Sequence, residues 1–420
     1  MAELLVLALA IFGYALFSER LAASPVTAPM VFVTAGLIVG SGGLSVFDLG
    51  IDGEASSIIV EATLVLVLFT DAVRIDLSAL RPDWWLPGRL LGIGLPLTVL
   101  AGAVAALVVL PDLTIAEAAL LAAVLAPTDA ALGQAVVSDM RLPVRLRQGL
   151  NVESGLNDGI ALPVVTIFLA WAGAEADAEG IAEWGSFVAG QIGLGLLCGL
   201  IAGAGGAWIL RKRSIADRVE GVYRQLATIS IAAAAFAGAT LIDGNGFIAA
   251  FTAGLAFGRL AREQCHGIQD FTADEGELLS AITFTIFGAA LAGPVLDELT
   301  WSVAAYVVLS LTVVRMAPVA LSLWRSGMLV ETRLFAAWFG PRGLASIVFA
   351  LLVFEELDGP GAEQIFLVAT WTVLVSVYAH GLSASPWAAR LARRLADEPE
   401  KTPERAPASE LPTRRRTRSG

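Results

Sequence analysis

The sequence predicts an all-α polytopic membrane protein with about 13 transmembrane helices, organised as two inverted six-helix repeats in which helices 5 and 12 are broken and cross each other. Three observations lead to this fold class. Apolar runs of roughly 17 to 25 residues recur along nearly the whole chain. The loops that follow successive runs alternate between basic and acidic. Finally, each half of the chain contains an apolar run with a proline beside a charged residue.

The composition is that of a chain embedded in lipid. Of its 420 residues, 56% are hydrophobic and 16% are charged, and the mean hydropathy is +0.74. Soluble cores do not repeat apolar runs that are each long enough to cross about 30 Å of hydrocarbon as a helix. The first run, Leu4 to Phe17, has neither a basic leading segment nor a small-residue cleavage site, so we interpret it as a first spanning helix and not as a signal peptide.

Metal and disulfide chemistry have few residues to draw on. The chain contains 2 cysteines and 2 histidines, which are too few for a disulfide framework, a thiolate metal site or a His-rich metal site. Proton chemistry near neutral pH therefore falls on carboxylates. We expect no cofactor, no enzymatic activity and no nucleic-acid partner.

The loops predict the orientation of the chain. Arginine-rich loops follow the third, fifth, seventh and ninth spans, and acidic loops lie between them. Under the positive-inside rule, this pattern places the N-terminus outside and the C-terminus in the cytoplasm, and it requires an odd number of spans. We therefore expect a multi-pass protein of the cell membrane. Residues 396–420 are rich in Pro, Arg, Thr and Glu and are predicted to form a disordered cytoplasmic tail.

One span in each half is interrupted at a proline. In the fifth span, Pro127 removes a backbone donor and biases Ala126 away from the helical conformation, so the helix should break beside Asp129. In the twelfth span, Pro341 lies in a similar position beside Arg342. If the chain is divided near the seventh span, the two breaks fall at corresponding places of two inverted halves. Alternating-access transporters build their midplane site from such crossed, broken helices.

Acidic side chains concentrate around the first break. A charge at mid-membrane costs at least about 2.5 to 3.5 kcal/mol, so acids at that depth usually mark an ion path. Asp129 and Asp158 are the leading candidates. Glu153 and Asn157 are four residues apart, as are Ser154 and Asp158, so two neighbouring polar rows lie on one side of the following helix.

Oxygen ligands are also available there. The side chains of Thr128 and Ser154, together with the carbonyl groups that a broken helix exposes, are the hard ligands that a small monovalent cation accepts. The alternative interpretation, helix caps and loop acids at a membrane surface, does not require this density of acids within apolar segments.

Other charged residues lie within or near the spans. Arg342 is predicted to be buried opposite a carboxylate, and we nominate Glu153 as its partner. Arg315 either braces the same bundle or extends to the membrane surface. Asp71 is a possible pathway residue or a loop-edge acid. Glu61, deeper in the same span, could line a funnel, pair across a dimer contact or lie near the outer headgroups.

Three motifs, in their order along the chain, resemble signatures of the monovalent cation:proton antiporter superfamily, specifically the NhaP-type branch that includes sodium/proton exchangers. They are Pro127-Thr128-Asp129, Glu153-Ser154-x-x-Asn157-Asp158 and Gly340-Pro341-Arg342-Gly343. A fourth stretch, Asn245 to Phe251 with Gly254, is similar to the short span near that family's interface. The resemblance extends from Leu4 to Leu382.

The resemblance implies a homodimer with a transmembrane antiporter domain over residues 1–395 of each protomer. Within it, the resemblance implies an interface domain of about 1–73 and 222–292, a linking helix of about 186–210, and a transport bundle of about 86–173 and 299–382 that contains the crossed helices.

The resemblance also implies roles for the polar residues. Asp158 resembles the acid that binds either the cation or the proton, with Thr128, Ser154 and Asp129 close around the ion. Asn157, where other branches carry a second acid, resembles the branch that exchanges one cation for one proton electroneutrally.

By the same resemblance, Glu153 and Arg342 form that branch's buried structural ion pair. The expected function is exchange of a monovalent cation, Na⁺ or Li⁺, for H⁺ by alternating access, with the bilayer, monovalent cations, protons and a second copy of the chain as partners. The alternatives are a potassium/proton antiporter and a passive cation channel. The paired breaks favour alternating access over the channel. An intramembrane aspartyl protease would need a Gly-x-Gly-Asp motif, which is absent around Asp129 and Asp158.

Overall fold

The computed structural model describes residues 2–22, 24–44, 54–75, 84–177, 181–215, 221–261, 266–397 and 402–405. All regular structure in these residues is helical, and they contain no β-strand. The structure therefore confirms the predicted all-α fold class. We number the main helical segments α1 to α13 in chain order.

The unbroken helices have the following bounds: α1 Ala2–Ala22, α2 Ala28–Val39, α3 Glu54–Arg74, α4 Trp85–Val109, α6 Val144–Asp177, α7 Ile181–Ile215, α8 Gly221–Thr240, α9 Gly246–Leu260, α10 His266–Ile286, α11 Trp301–Ser322 and α13 Pro360–Ala396. Two of them include a wider π-helical turn, at Leu90–Gly94 in α4 and at Ser310–Val314 in α11, and a third such turn, Phe287–Ala292, directly follows α10.

Two helices are interrupted where the prolines predict. The fifth consists of α5a, Ile115–Val124, and α5b, Ala130–Val137. The twelfth consists of α12a, Val330–Trp338, and α12b, Leu344–Glu356. Both breaks contain a proline, which cannot donate a helical hydrogen bond and disfavours helical geometry in the residue before it.

Within the described residues, 5 helices are long and apolar enough to cross a membrane. They are α4, Val144–Ala174 within α6, Gly185–Lys212 within α7, α11 and α13. The helix predicted at 186–210 is thus longer than the sequence suggested, since α7 extends from Ile181 to Ile215. The total of 13 spans and the inverted relation of the halves stay predictions.

The helices pack in two groups. In one group, α9 packs against α3, α7 and α8, and α2 packs along α10. In the other, α5a and α5b pack against α6 and α13, while α4 packs against α11 and α11 against α12a. Helix α3 of the first group also contacts α6 and α12b of the second. The broken helices therefore lie inside the second group with α3 alongside.

Polar caps begin several of the apolar helices. At the start of α5a, Thr114 and Glu117 form a capping box in which each side chain accepts the backbone N–H of the other residue. At the start of α9, the Asn245 side chain accepts the N–H of Ile248 and donates to Thr166 of α6. Such a cap contributes about 1 kcal/mol by satisfying donors that the first helical turn leaves free.

Part of the predicted tail is ordered against the helices. Residues 398–401 and 406–420 lie outside the described residues, but between them Pro403–Arg405 forms a 3₁₀ turn. The prediction of a disordered tail over 396–420 is therefore wrong for 402–405.

Three polar contacts explain this order. Glu404 is 1% exposed, and its Oε1 accepts the N–H of Leu329, the residue before α12a, at 2.7 Å. A carboxylate at a helix N-terminus is favoured by the helix dipole. Arg145, at the start of α6, donates to the Pro403 carbonyl at 3.1 Å, and Arg405 donates to a carbonyl near the end of α13. The turn thus joins the ends of α6, α12a and α13.

Glu404→Ala should lower the free energy of unfolding by about 1–3 kcal/mol, because the Leu329 N–H loses its buried acceptor. Thermal unfolding of the detergent-solubilised protein measures this. Asp297→Ala, which removes an exposed acid, is the matched control and should leave the midpoint unchanged. Equal midpoints for Glu404→Ala and the wild type would contradict the docking of the turn.

Candidate functional site

The break in the fifth helix is stabilised by Asp129. This residue is the N-cap of α5b, with extended backbone dihedral angles, and its Oδ1 accepts the N–H groups of Ala131 and Leu132 at 2.7 and 3.0 Å. Its second oxygen, Oδ2, accepts the N–H of Leu344 at 2.7 Å, at the start of α12b. One carboxylate therefore caps two helices. Because a helix N-terminus carries a partial positive charge, both helix ends attract the Asp129 carboxylate.

Residues of the twelfth helix satisfy the carbonyl groups at the end of α5a. The Arg342 Nη1 donates to the carbonyl oxygens of Ala126 and Pro127. The Ser346 hydroxyl donates to the Val124 carbonyl at 2.8 Å. In the opposite direction, the Asp129 N–H donates to the carbonyl of Pro341 at 2.8 Å. The crossing is thus braced by contacts in both directions.

Two glycines leave space for these contacts. A Cβ on Gly343 would lie 2.2 Å from Asp129 Oδ2. A Cβ on Gly340 would lie 2.4 Å from the Nε of Arg315. The Gly-Pro-Arg-Gly motif therefore combines one residue that breaks the helix, one that binds the opposite backbone, and two that admit the neighbouring side chains.

The predicted oxygen ligands meet beside the crossing. The Ser154 hydroxyl donates to the Thr128 carbonyl at 2.6 Å, and the Asn157 Nδ2 donates to the Thr128 hydroxyl at 2.6 Å. All three side chains are buried, and the Asn157 Oδ1 is buried without a hydrogen-bond partner in the part of the chain that the structure describes. Asp158 is 7% exposed and lies one turn beyond Ser154 on the same face of α6.

The arrangement suits a small cation. It offers hydroxyl, carbonyl and carboxylate oxygens within an apolar bundle, next to a break in the backbone. Asp129 differs from the other predicted ligands, because three backbone N–H groups already occupy its carboxylate. The assignments of Asp158, Asp129, Ser154, Thr128 and Asn157 as ion-binding residues stay predictions.

The predicted ion pair of Glu153 with Arg342 is wrong in its partner. The structure pairs Glu153 with Arg315, whose Nη2 lies 2.5 Å from Glu153 Oε1, and both side chains are almost fully buried. The carbonyl groups of Ala126 and Pro127 occupy Arg342 instead. Arg315 is therefore a brace within the bundle and not a snorkelling side chain.

Irregular helix geometry places Arg315 opposite Glu153. Arg315 directly follows the π turn Ser310–Val314 of α11, and its guanidinium lies against Gly340 of the other break. A π turn inserts one residue into the helical repeat and so rotates every later side chain. No hydrophobic pattern in the sequence reveals such an insertion, although the nearby Pro318 marks the helix as unusual.

The two acids of α3 lie apart from each other. Asp71 lies 3.9 Å from Arg74 and faces α6, where a Cβ on Gly155 would lie 4.0 Å from that of Asp71. Glu61 lies about 15 Å away along the helix, within electrostatic reach of Glu355 and a second glutamate beside it. Asp71 therefore borders the candidate site, whereas Glu61 belongs to the opposite end of α3.

Crossed, interrupted helices braced by buried charges are an architecture that many secondary transporters share. The chain belongs to the family described as sodium/hydrogen exchanger, transmembrane, whose profile matches residues 6–390.

Two curated relatives are similar to this chain over most of its length. The K(+)/H(+) antiporter NhaP2 of Shewanella sp. strain MR-4 is 28% identical over 372 residues, which cover 87% of this chain and 62% of the relative. The Na(+)/H(+) antiporter NhaS2 of Synechocystis sp. strain PCC 6803 is 27% identical over 387 residues, which cover 84% of this chain and 64% of the relative. The chain thus spans less than two thirds of the length of these relatives.

The fold is also similar to a solved structure. The sodium proton antiporter MjNhaP1 from Methanocaldococcus jannaschii at pH 8 superposes with a TM-score of 0.74 at 20% sequence identity, over 90% of this chain and 97% of that one. At this level of identity the similarity establishes a shared fold.

Gly343→Ala should lower the free energy of unfolding by about 1–3 kcal/mol, because the added methyl group overlaps a carboxylate held by three N–H groups. Gly133→Ala is the matched control, since a Cβ at that position in α5b meets no atom within 4 Å. Thermal unfolding and size-exclusion profiles measure the difference. The close approach of Asp129 would be refuted by equal stability of the two variants.

The corrected ion pair predicts an order of coupling energies. Arg315→Ala should cost about 3–5 kcal/mol, because Glu153 is left buried without its partner. In double-mutant cycles, Glu153→Ala should couple more strongly to Arg315→Ala than to Arg342→Ala. Chemical unfolding of the purified variants measures both coupling energies. A larger coupling of Glu153 to Arg342 would support the pairing that the sequence predicted.

Proposed function

We propose that this protein is a secondary active transporter that exchanges a monovalent cation for a proton across the membrane. The observation that carries the proposal is the cluster of Thr128, Ser154, Asn157 and Asp158 beside the crossing of two broken helices. Buried oxygen ligands with an adjacent carboxylate can replace the hydration shell of a small cation. Family membership over residues 6–390 and the names of the relatives support the same activity.

The proposed mechanism is competition for Asp158. Either a cation or a proton neutralises this buried carboxylate, and the two do not bind together. If the bundle of α4–α6 and α11–α13 changes its accessible side only when Asp158 is neutral, each movement carries one ion and uncoupled leak is suppressed. With Asn157 in place of a second acid, one cation exchanges for one proton and the cycle is electroneutral.

Na⁺ is the proposed cation, and K⁺ is the second candidate. Family relatives are named for either ion, with Na⁺ in the Synechocystis protein and K⁺ in the Shewanella protein. Na⁺ is placed first because the motifs of the sequence resemble those of sodium/proton exchangers. We further propose that the chain is a homodimer of the cell membrane, with the N-terminus outside, and that residues 1–73 and 222–292 form the dimer interface domain.

Exchange can be measured as dissipation of a pH gradient in reconstituted vesicles. Na⁺, Li⁺ and K⁺ are each added, with and without a clamp on the membrane potential. Electroneutral exchange predicts cation-dependent dissipation that the clamp leaves unchanged. A response to K⁺ alone would replace Na⁺ by the second candidate, and no response to any cation in folded protein would overturn the proposal.

Asp158→Asn should abolish cation-driven proton flux while leaving a folded protein, because the amide neither binds a proton nor supplies the negative charge that a cation needs. Glu298→Gln, a similar change at an exposed position, should retain full exchange. Exchange that persists in Asp158→Asn with its pH dependence intact would remove Asp158 from the mechanism.

A further inference from the structure

A row of polar side chains on α13 faces the break in the twelfth helix. Ser376, His380 and Ser383 follow one another at spacings of four and three residues and so share one face of the helix. Ser376 and His380 are almost fully buried, at 0% and 1% exposure. Neither residue belongs to a recognised motif of the sequence, and the proposed exchange mechanism does not use either of them.

His380 and Ser376 connect the two ends of the break. The His380 Nε2 lies 3.0 Å from the carbonyl oxygen of Trp338, the last residue of α12a. Its Nδ1 lies 3.1 Å from the Ser376 hydroxyl. That hydroxyl in turn accepts the backbone N–H of Arg342 at 2.7 Å. The chain of contacts therefore begins where α12a ends and finishes just before α12b begins.

The contact with Trp338 defines the protonation of one ring nitrogen. A carbonyl oxygen can only accept, so Nε2 must carry a proton to bond Trp338. The Ser376 oxygen accepts from Arg342, which leaves its own proton free to point at Nδ1. Nδ1 lies 3.1 Å from both the Ser376 hydroxyl and the Ser376 carbonyl, so it accepts from the hydroxyl when it is unprotonated and donates to the carbonyl when it is protonated.

We propose that His380, acting with Ser376, is a clasp that fixes the length of the interrupted segment 339–343 and so positions Arg342 on the carbonyl groups of the other break. Arg342 holds the carbonyls of Ala126 and Pro127, the residues that immediately precede Thr128. A longer or shorter segment would displace the guanidinium and, with it, the Thr128 oxygens. His380 is therefore a positioning residue for the cation site, and this inference rests on the proposed function.

Ser383 provides a matched control, because it contacts the same tryptophan as His380. The Trp338 indole N–H donates to the Ser383 hydroxyl at 2.9 Å, and the Trp338 and His380 rings stack with centroids 4.8 Å apart. Ser383 thus bonds the same tryptophan from the same face of α13 but does not reach across the break. Its removal deletes a hydrogen bond of similar kind and leaves the clasp in place.

The first experiment separates positioning from general stability. In reconstituted vesicles, His380→Phe keeps the ring volume but removes both hydrogen bonds, and it should raise the apparent KM for the cation about tenfold while Vmax per folded protein changes less than about twofold. Ser376→Ala should raise KM in the same direction. His380→Gln, whose amide can donate to Trp338 and accept from Ser376, should restore KM to within about twofold of the wild type. Ser383→Ala should leave KM unchanged.

Two results of this experiment would overturn the clasp. A lowered Vmax at unchanged KM in His380→Phe and Ser376→Ala would show a purely structural role and overturn the clasp. An equal rise of KM in Ser383→Ala would do the same. If His380→Phe does not fold, the comparison of Ser376→Ala with Ser383→Ala carries the test alone.

A second measurement does not depend on transport. The chain has 2 histidines, so His266→Gln leaves His380 as the single imidazole, and ¹⁵N magnetic resonance of the full-length protein reports its tautomer. We expect a ring that carries a proton on Nε2, the nitrogen that faces the Trp338 carbonyl. A neutral ring protonated only on Nδ1 could not donate to the Trp338 carbonyl and would overturn the clasp. If the expected tautomer is found but the wild type moves no cation, the proposed function fails and the geometry of the clasp stands.

Discussion

The carboxylate of Asp129 is the contact on which the crossing depends. In lipid, every backbone polar group must find a partner inside the protein, and a broken helix leaves several without one. Asp129 accepts from the starts of both α5b and α12b, so it satisfies donors on two helices that are far apart in sequence. The two positive helix ends repel each other, and the negative charge between them removes that repulsion. This charge therefore favours the placement of the two helix starts side by side.

The charges of the crossing follow from this arrangement. Arg342 binds the carbonyl end of α5a, where the helix dipole is negative, and Arg315 pairs with Glu153. Two buried arginines and the two carboxylates of Asp129 and Glu153 therefore balance one another. Asp158 is the buried carboxylate whose charge the proposed substrate would neutralise. These four charges thus sum to zero, and in the proposed exchange Asp158 is the residue whose charge is neutralised.

Local features of the sequence predicted the two breaks and the polar cluster. Pro127 and Pro341 act on the residues next to them, and the four-residue spacing of Ser154 and Asp158 is a property of one helix. Both can be seen without knowledge of the rest of the fold. For the same reason, the meeting of Thr128 with Ser154 followed once the two motifs were placed together.

Features that depend on three-dimensional register were not predictable in this way. The choice of Arg315 over Arg342 by Glu153 is decided by a π turn and by the competing carbonyls of α5a. The second cap made by Asp129 joins residues 215 positions apart. His380 lies on a helix whose apolar pattern gives no sign of a polar role, and the short turn around Glu404 lies in a segment of polar composition. In each case the role of the residue depends on its partner in the fold, and the sequence around the residue does not reveal that partner.

The π turns of α4 and α11 make the fold sensitive to the deletion of a residue from these helices. Each lies in the helix directly before a broken one, at Leu90–Gly94 and at Ser310–Val314. An α-helix turns about 100° per residue, so loss of one residue from the second turn would swing Arg315 away from Glu153 with no change in its chemistry. Most substitutions in α11 alter one contact, whereas a single-codon deletion there would alter the direction of every side chain that follows. Helix length in this segment is therefore under stricter constraint than its amino-acid identity.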